Sequence, residues 1–495
     1  MATLSQDLSK MEKMNLIEDG NPARYRLQTN PENVYQSEAY RKMTVGERDT
    51  NKPHKTILML GETGGGKTKL INTMINYMLG VKREDKVWFE ITDDQSDRTS
   101  AHSQTSSITV YGFYLQQSPI HLTIIDTPGY GDTRGVEDDK EITMKLLNLI
   151  GCGDWVHEID AVCLVINATQ NRLSKIQQYI FDGVQSLFGR DIAENIVLLF
   201  TRSTGARPKN ALTAVKEAKV KCAVDDKNQP VYFLFDNCQS DAADEEYEPI
   251  QEQSWKLSFK GMTGLFKFLE SIKPKTLKMT RDVLQKWKQL EANISNLKSQ
   301  VLTIELKQNE LKQSQEDLEF VKNNKNFEYE VEVPYKEKVD IDTSKAYKAT
   351  ICTVCEENCH YPGCCWAINH SWCSVMKDDH CTVCTKKCHY SKHVKEAKIY
   401  VTKTKKEKRI NEADLKENDG ILVKKLEKEL EELQMEKVKL VMEAFHCVET
   451  LQMISLNTDS LITLLQIDVL IEKLKEINEP EKAKTLENIK KRAGE

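Results

Sequence analysis

Residues 56–68 read TILMLGETGGGKT, an apolar run closing on Gly61-Glu62-Thr63-Gly64-Gly65-Gly66-Lys67-Thr68, which satisfies G-x-x-x-x-G-K-[ST]. No other stretch restricts the fold so far, because such a loop works only between a buried strand and a helix N-terminus. Both flanks fit. Thr56 to Leu60 has the composition of a buried parallel strand, and Lys69 to Leu79 reads as an amphipathic helix. The glycines let backbone N–H groups converge on phosphate oxygens, where side chains would block the approach. Lys67 is expected to reach the β- and γ-phosphates and the Thr68 hydroxyl to sit on Mg²⁺, with Gly61 through Lys69 wrapped around a nucleoside triphosphate.

Downstream, residues 87–105 are polar and rich in Ser, Thr and Asp, as a switch loop would be. Val110 to Tyr114 and Leu122 to Ile125 read as strands, the second ending in Asp126-Thr127-Pro128-Gly129. In this DxxG element Asp126 is expected to hold Mg²⁺ through water, and the Gly129 N–H to sense the γ-phosphate. Ala161 to Ile166, Ile196 to Phe200 and Val231 to Phe235 supply further buried strands, with a helix over Lys175 to Phe188. The alternation predicts an α/β P-loop NTPase domain with a mostly parallel, doubly wound sheet.

Two positions depart from a fully equipped GTPase. After the strand ending at Phe200 the chain reads Thr201-Arg202-Ser203-Thr204, so a threonine stands where a carboxylate would accept two hydrogen bonds from guanine. Weakened guanine preference is expected. Tyr130 follows DTPG where a glutamine would orient the attacking water, so hydrolysis is expected to be slow. Arg98 and Arg134 fall in the two switch regions, either as charge-stabilising catalytic groups or as solvated surface arginines.

The stretch from Lys55 to about Phe268, through GETGGGKT at 61–68, DTPGYGDT at 126–133 and LFGRDIAENIVLLFTR at 187–202, resembles the immunity-associated, avirulence-induced-type GTPases, relatives of septins. It is similar in particular to the fish proteins that carry such a G domain before a coiled coil. The resemblance implies GTP/GDP binding with Mg²⁺, slow turnover, and a homodimer or oligomer formed across the nucleotide face. It also places the switch threonine, a further Mg²⁺ ligand with a catalytic role, on Thr105 in SQTSS, with Thr109 the alternative. By the same resemblance Asn237, after VYFLFD, approaches the base, while the base motif itself is expected to begin at Thr201 and Arg202.

From Val283 apolar residues recur at Trp287, Leu290, Ile294, Leu297, Val301 and Ile304, then Leu311 and Leu318, the steps of a coiled coil. A second register runs Val423, Leu426, Leu430, Leu433, Leu440, Ala444, Cys447, Leu451 and Ile454, and a third helix covers about Ser460 to Ile477 before Pro480. Lys and Glu around these stripes read as solvated faces. The expectation is a long helical arm. Between its two halves, Phe327 to Val333 and Lys398 to Thr402 alternate like an outgoing and a returning strand.

Nine of the 14 cysteines lie between 352 and 388, and CTVCEENCHY at 352–361 recurs as CTVCTKKCHY at 381–390. Thiolates and imidazoles at this density suit tetrahedral Zn²⁺. Cys352, Cys355, Cys381 and Cys384 would form a symmetric four-thiolate site. Cys359, His360, Cys364, Cys365, Cys373, Cys388, His389 and His393 hold enough ligands for a second ion, with Trp366 and Trp372 packing the module. A disulfide knot or a redox C-x-x-C pair are the alternatives.

The net charge of −6, from 70 basic and 76 acidic groups, gives no global field for nucleic acid. No apolar run reaches 18 residues and the N-terminus has no secretory pattern, so a cytoplasmic chain with reduced thiols and no integral membrane segment is expected. The predicted division is a polar segment over 1–50, a GTPase domain over 51–274, and a coiled-coil helix over 275–325. Strands flanking a zinc tip over 326–403 and a helical return over 404–495 complete it. The function expected is a nucleotide-switched assembly protein and slow GTPase that meets protein partners through coil and zinc tip. The alternatives are a mechanochemical NTPase and a metal-binding adaptor with a vestigial G domain.

Overall fold

The buried apolar runs form one eight-stranded sheet. Its strands are β1 (Asn30–Pro31), β2 (Tyr40–Gly46), β3 (His54–Gly61), β4 (Ile108–Tyr114), β5 (His121–Asp126), β6 (Ala161–Asn167), β7 (Ile196–Thr201) and β8 (Tyr232–Leu234). They lie in the order β8-β7-β6-β3-β5-β4-β2-β1. The run from β8 to β5 is parallel, β4 pairs antiparallel with β5, and β2 is parallel to β4. The computed structural model describes residues 14–31, 40–91, 108–129, 146, 149, 156–170, 181, 185–186, 188–321, 328–342, 346, 348–361, 373, 375–410, 416–456 and 461–494. They fall in two units, Met1–Thr280 and Arg281–Glu495.

In the first unit both faces of the sheet are covered, which explains why its central strands are apolar throughout rather than alternating. One face, with Ile57, Met59, Cys163, Val165, Val197 and Leu199, packs on α1 (Lys67–Met78) through Leu70, Ile71 and Met74, and on a helix at Glu248–Ser271 through Met262 and Leu265. The alternate residues Leu58, Leu60, Leu164, Leu198 and Phe200 are equally buried. Residues 14–31 and 40–46, within the stretch expected as a polar segment over 1–50, are built into this unit. Strand β2 pairs with β4 along its whole length, from Tyr40↔Ile108 to Gly46↔Tyr114. Met14–Glu18 and Ala23–Leu27 form a hairpin that adds parallel to Val87–Glu90. Arg24 grips Glu90 there through two bonds of 2.8 and 3.0 Å. Backbone pairing overrides composition in so short and polar a stretch.

The second unit is organised by two long helices, α2 (Lys278–Val321) and α3 (Lys416–Ile454), the first turn of α2 belonging to the first unit. Gln300 Nε2 donates to the Leu433 carbonyl and to Glu436, and Lys307 pairs with Glu429 at 2.9 Å, so the helices run antiparallel. They do not stand as a bare arm. Val283, Trp287, Leu290, Ile294 and Leu297 share one core with Leu440, Ala444, Val448 and Leu451 and with α4 (Leu461–Glu476) and α5 (Pro480–Gly494). Helix α5 falls within the helical return expected over 404–495. Pro480 opens it at a position where a missing N–H costs nothing, and Ala483, Leu486 and Ile489 seat it.

Strands β9 (Glu328–Asp340) and β15 (Lys398–Ile410) pair antiparallel over thirteen residues. Between them lie β10 (Ala349–Cys352), β11 (Glu357–His360), β12 (Met376–Lys377), β13 (His380–Cys381) and β14 (His393–Glu396). The ribbon doubles back along α2: the Ser299 and Thr402 hydroxyls are 2.9 Å apart, and Gln289 Nε2 donates to the Thr382 carbonyl. Thirteen strand residues at about 3.3 Å span about 43 Å, the length of roughly 29 helical residues. The cysteine module therefore lies against the flank of the helices beside Ala292, not at their far end as a tip.

Candidate functional site

Strand β3 delivers its last residue, Gly61, beside β6, where a Cβ would come within 2.7 Å of the Val165 carbonyl oxygen. The chain then turns through Gly64 and Gly66 at φ of +73° and +91°, and Gly66 is the N-cap of α1. Only glycine takes this path without strain, and it turns successive N–H groups inward at the positive end of the helix. Thr201, at the end of β7, donates its hydroxyl to the Gly65 carbonyl at 2.7 Å, and exposed Arg202 reaches the Gly64 carbonyl at 3.1 Å. Both residues, expected near a base, here brace the phosphate loop.

Lys67 is buried and lies across the loop, donating to the carbonyls of Gly61 and Glu62 at 2.8 and 3.1 Å. Burial pulls its ammonium down to about 8, against the attraction of Asp126 and Glu62. Burial also pushes the Asp126 carboxyl up to about 6, with Lys67 working the other way. Asp126 Oδ1 is buried without a hydrogen-bond partner, as is Thr63 Oγ1. An orphaned carboxylate oxygen in a dry site is costly by itself and fits a hydrated Mg²⁺. The neighbouring Thr127 hydroxyl is committed to the Met59 carbonyl, so it cannot serve Asp126. Gly129 packs on Thr63 so closely that a Cβ would meet the Thr63 backbone nitrogen at 2.7 Å. The DxxG turn thus lies directly on the phosphate loop, a contact that motif spacing does not reveal.

Thr68 is half-buried on the first turn of α1, and exposed Lys69 pairs with Asp241 at 3.7 Å. Asn237 is buried after β8 and accepts from the Thr73 hydroxyl at 3.3 Å, leaving its Nδ2 without a partner. The Thr204 side chain is exposed. Thr109 is buried within β4, opposite Asp126 in the antiparallel register, which removes it from any loop. Arg98, Thr105, Tyr130 and Arg134 lie outside the described residues.

The second chemical cluster is in the cysteine module. Cys352, Cys355, Cys384 and Cys388 form one group, and Cys359, Cys381, Cys384 and His393 another, with all ligand atoms of each group within 4.8 Å of one another. The symmetric set of both C-x2-C pairs is not formed: Cys388 takes the place of Cys381. The reason is local, since β13 pairs Cys381 with Met376 and its N–H with the Cys388 carbonyl, which turns Cys381 toward Cys359. His360 is 3.2 Å from Cys373, apart from both groups. His389 caps a short turn by accepting from the Ser391 N–H. Cys364, Cys365, Trp366 and Trp372 lie outside the described residues. Among those described, the cysteines are thiols rather than disulfides.

Residues 55–252 match the model of the AIG1 family. No curated protein matches the chain. Among solved structures, Toc33 from Arabidopsis thaliana in complex with GDP and Mg²⁺ is 15% identical, with a TM-score of 0.31, over 46% of this chain and 89% of that one. Toc33 in complex with Mg²⁺ and GMPPNP is likewise 15% identical, with a TM-score of 0.30, over 45% and 88%. No helix among the described residues is long and apolar enough to cross a membrane. With strand, glycine loop, helix and DxxG turn in place, residues 55–252 are an AIG1 family domain, a P-loop GTPase fold.

Proposed function

We propose that the chain is a guanine-nucleotide-binding switch that hydrolyses GTP slowly, pairs with a second copy through its nucleotide face, and carries a zinc-binding module for partner proteins. The observation that carries the nucleotide part is that Lys67 and Asp126 are both buried beneath the glycine loop and attract each other, with Asp126 Oδ1 lacking a hydrogen-bond partner. In this reading Gly61 to Lys69 wrap the phosphates, Thr68 and Asp126 serve Mg²⁺ with Thr105, and Asn237 with its spare Nδ2 faces the base. Slow turnover follows from Tyr130, and Arg98 and Arg134 are the groups available for charge stabilisation.

A fluorescent GTP analogue should bind the parent chain in the presence of Mg²⁺ and be nearly lost in Lys67→Ala. Equal affinity in both would remove the loop as the site. Sedimentation with GDP and with a non-hydrolysable GTP analogue then tests pairing, where an unchanged mass in both states would reject the switch. Fast turnover by the isolated chain would favour the mechanochemical reading.

A further inference from the structure

The two ligand groups of the cysteine module share Cys384. Resting on the zinc reading above, we propose that the module holds a binuclear zinc centre in which the Cys384 thiolate bridges both ions. One ion takes Cys352, Cys355 and Cys388 as its remaining ligands; the other takes Cys359, Cys381 and His393.

The geometry has the right scale. Tetrahedral Zn²⁺ with Zn–S near 2.3 Å holds its sulfurs roughly 3.8 Å apart. Cys355 and Cys388 Sγ are 3.7 Å apart, far beyond a disulfide bond of about 2.05 Å. Counting Cys384 twice, seven side chains complete two four-coordinate shells; counting it once leaves either ion with three ligands.

The surroundings are those of anionic sulfur. The Cys355 N–H points at Cys352 Sγ at 3.4 Å, those of Val383 and Cys384 at Cys381 Sγ at 3.4 and 3.3 Å, and that of Cys388 at Cys384 Sγ at 3.1 Å. Such donors orient thiolates and spread their charge. His393 Nδ1–H donates to the His389 carbonyl at 3.2 Å, and the buried Nε2 is left facing the cluster without a hydrogen-bond partner. That arrangement fixes the tautomer a metal requires. Six thiolates, two Zn²⁺ and a neutral imidazole leave a net charge of −2. Two separate shells would add a seventh thiolate and one more buried negative charge.

Cobalt(II) is the probe. Full-length, nucleotide-free protein is exchanged with Co²⁺, or with a small fraction of Co²⁺ in excess Zn²⁺, and dialysed; bound metal and the EPR signal per cobalt are then measured. Two ions per chain are expected, with a per-cobalt signal in the all-cobalt protein less than half that of the zinc-diluted sample, because a shared sulfur couples the two spins. Two ions with equal signal in both samples, or one ion per chain, would overturn the bridge while leaving zinc binding intact. Protein that retains no metal and has oxidised thiols would overturn the zinc reading itself.

Discussion

Asp126 sits where function and stability oppose each other. Its carboxyl is buried, one oxygen is unpartnered, and burial pushes it up to about 6. A carboxyl raised in the folded state does no harm while both states are protonated, below about 3.8. Its cost is felt as pH rises through the folded value. Asp126→Asn should therefore raise the melting temperature of the nucleotide-free protein at pH 8, by the equivalent of about 1–3 kcal/mol, and leave it unchanged near pH 4. The same variant should lose the stabilisation that Mg²⁺ and GTP give the parent. Scanning fluorimetry with and without Mg·GTP reads both effects, and a variant less stable than the parent at pH 8 would contradict the account. Thr204 poses the complementary test. Exposed and uncharged, it offers guanine no carboxylate, so Thr204→Asp should raise the GTP-over-ATP preference about tenfold or more. A parent chain that already discriminates a thousandfold would place selectivity on Asn237 and its neighbours instead.

At the scale of elements, β3 and β5 enter the sheet side by side through His54 and His121, which are paired in register. His121 is buried, and its Nε2 accepts the Asp49 N–H at 2.9 Å, a bond only neutral imidazole makes. His54 Nε2 is 2.8 Å from the Thr123 hydroxyl. Burial holds both rings below the ordinary histidine value, with Arg48 adding to the effect on His54 and Lys52 to that on His121. Their contribution is complete above pH 6.5 and is lost as pH falls through the lower folded values. His121→Gln keeps an acceptor but does not titrate, so the stability difference between parent and variant should shift in the variant's favour from pH 7 to 5. A constant difference across that range would mean His121 does not carry the acid sensitivity.

The same strands show what the sequence could convey. A glycine loop between an apolar run and a helical stripe is local, so Gly61 to Thr68 and the parallel order around β3 were readable. Pairings between distant segments were not. Strand β2 looks polar, and its order comes from backbone pairing with β4 and β1, while β9 and β15 alternate without revealing that they run back along α2. Repeated cysteine spacing pointed to metal, but the split of Cys381 from Cys352 depends on how β13 bends, which spacing does not encode.

At the scale of the molecule, the chain divides at Thr280, and each unit has its own core and its own chemistry. The cysteine module is a small unit: Cys352, Cys359, Cys381, Val383 and Cys384 make up much of its interior, with Ala292 of α2 beneath them. On the zinc reading proposed above, a core built of these side chains is stabilised largely by the metal. Removing zinc with a chelator should therefore expose residues 349–396 to protease and lower the melting transition of the second unit. GTP with Mg²⁺ should raise the transition of the first. If the units are energetically separate, the two shifts are independent: chelation leaves GTP-analogue affinity unchanged within about twofold, and nucleotide leaves the proteolysis rate of the cysteine module unchanged. A chelated protein that binds nucleotide tenfold more weakly would show that the two units fold as one.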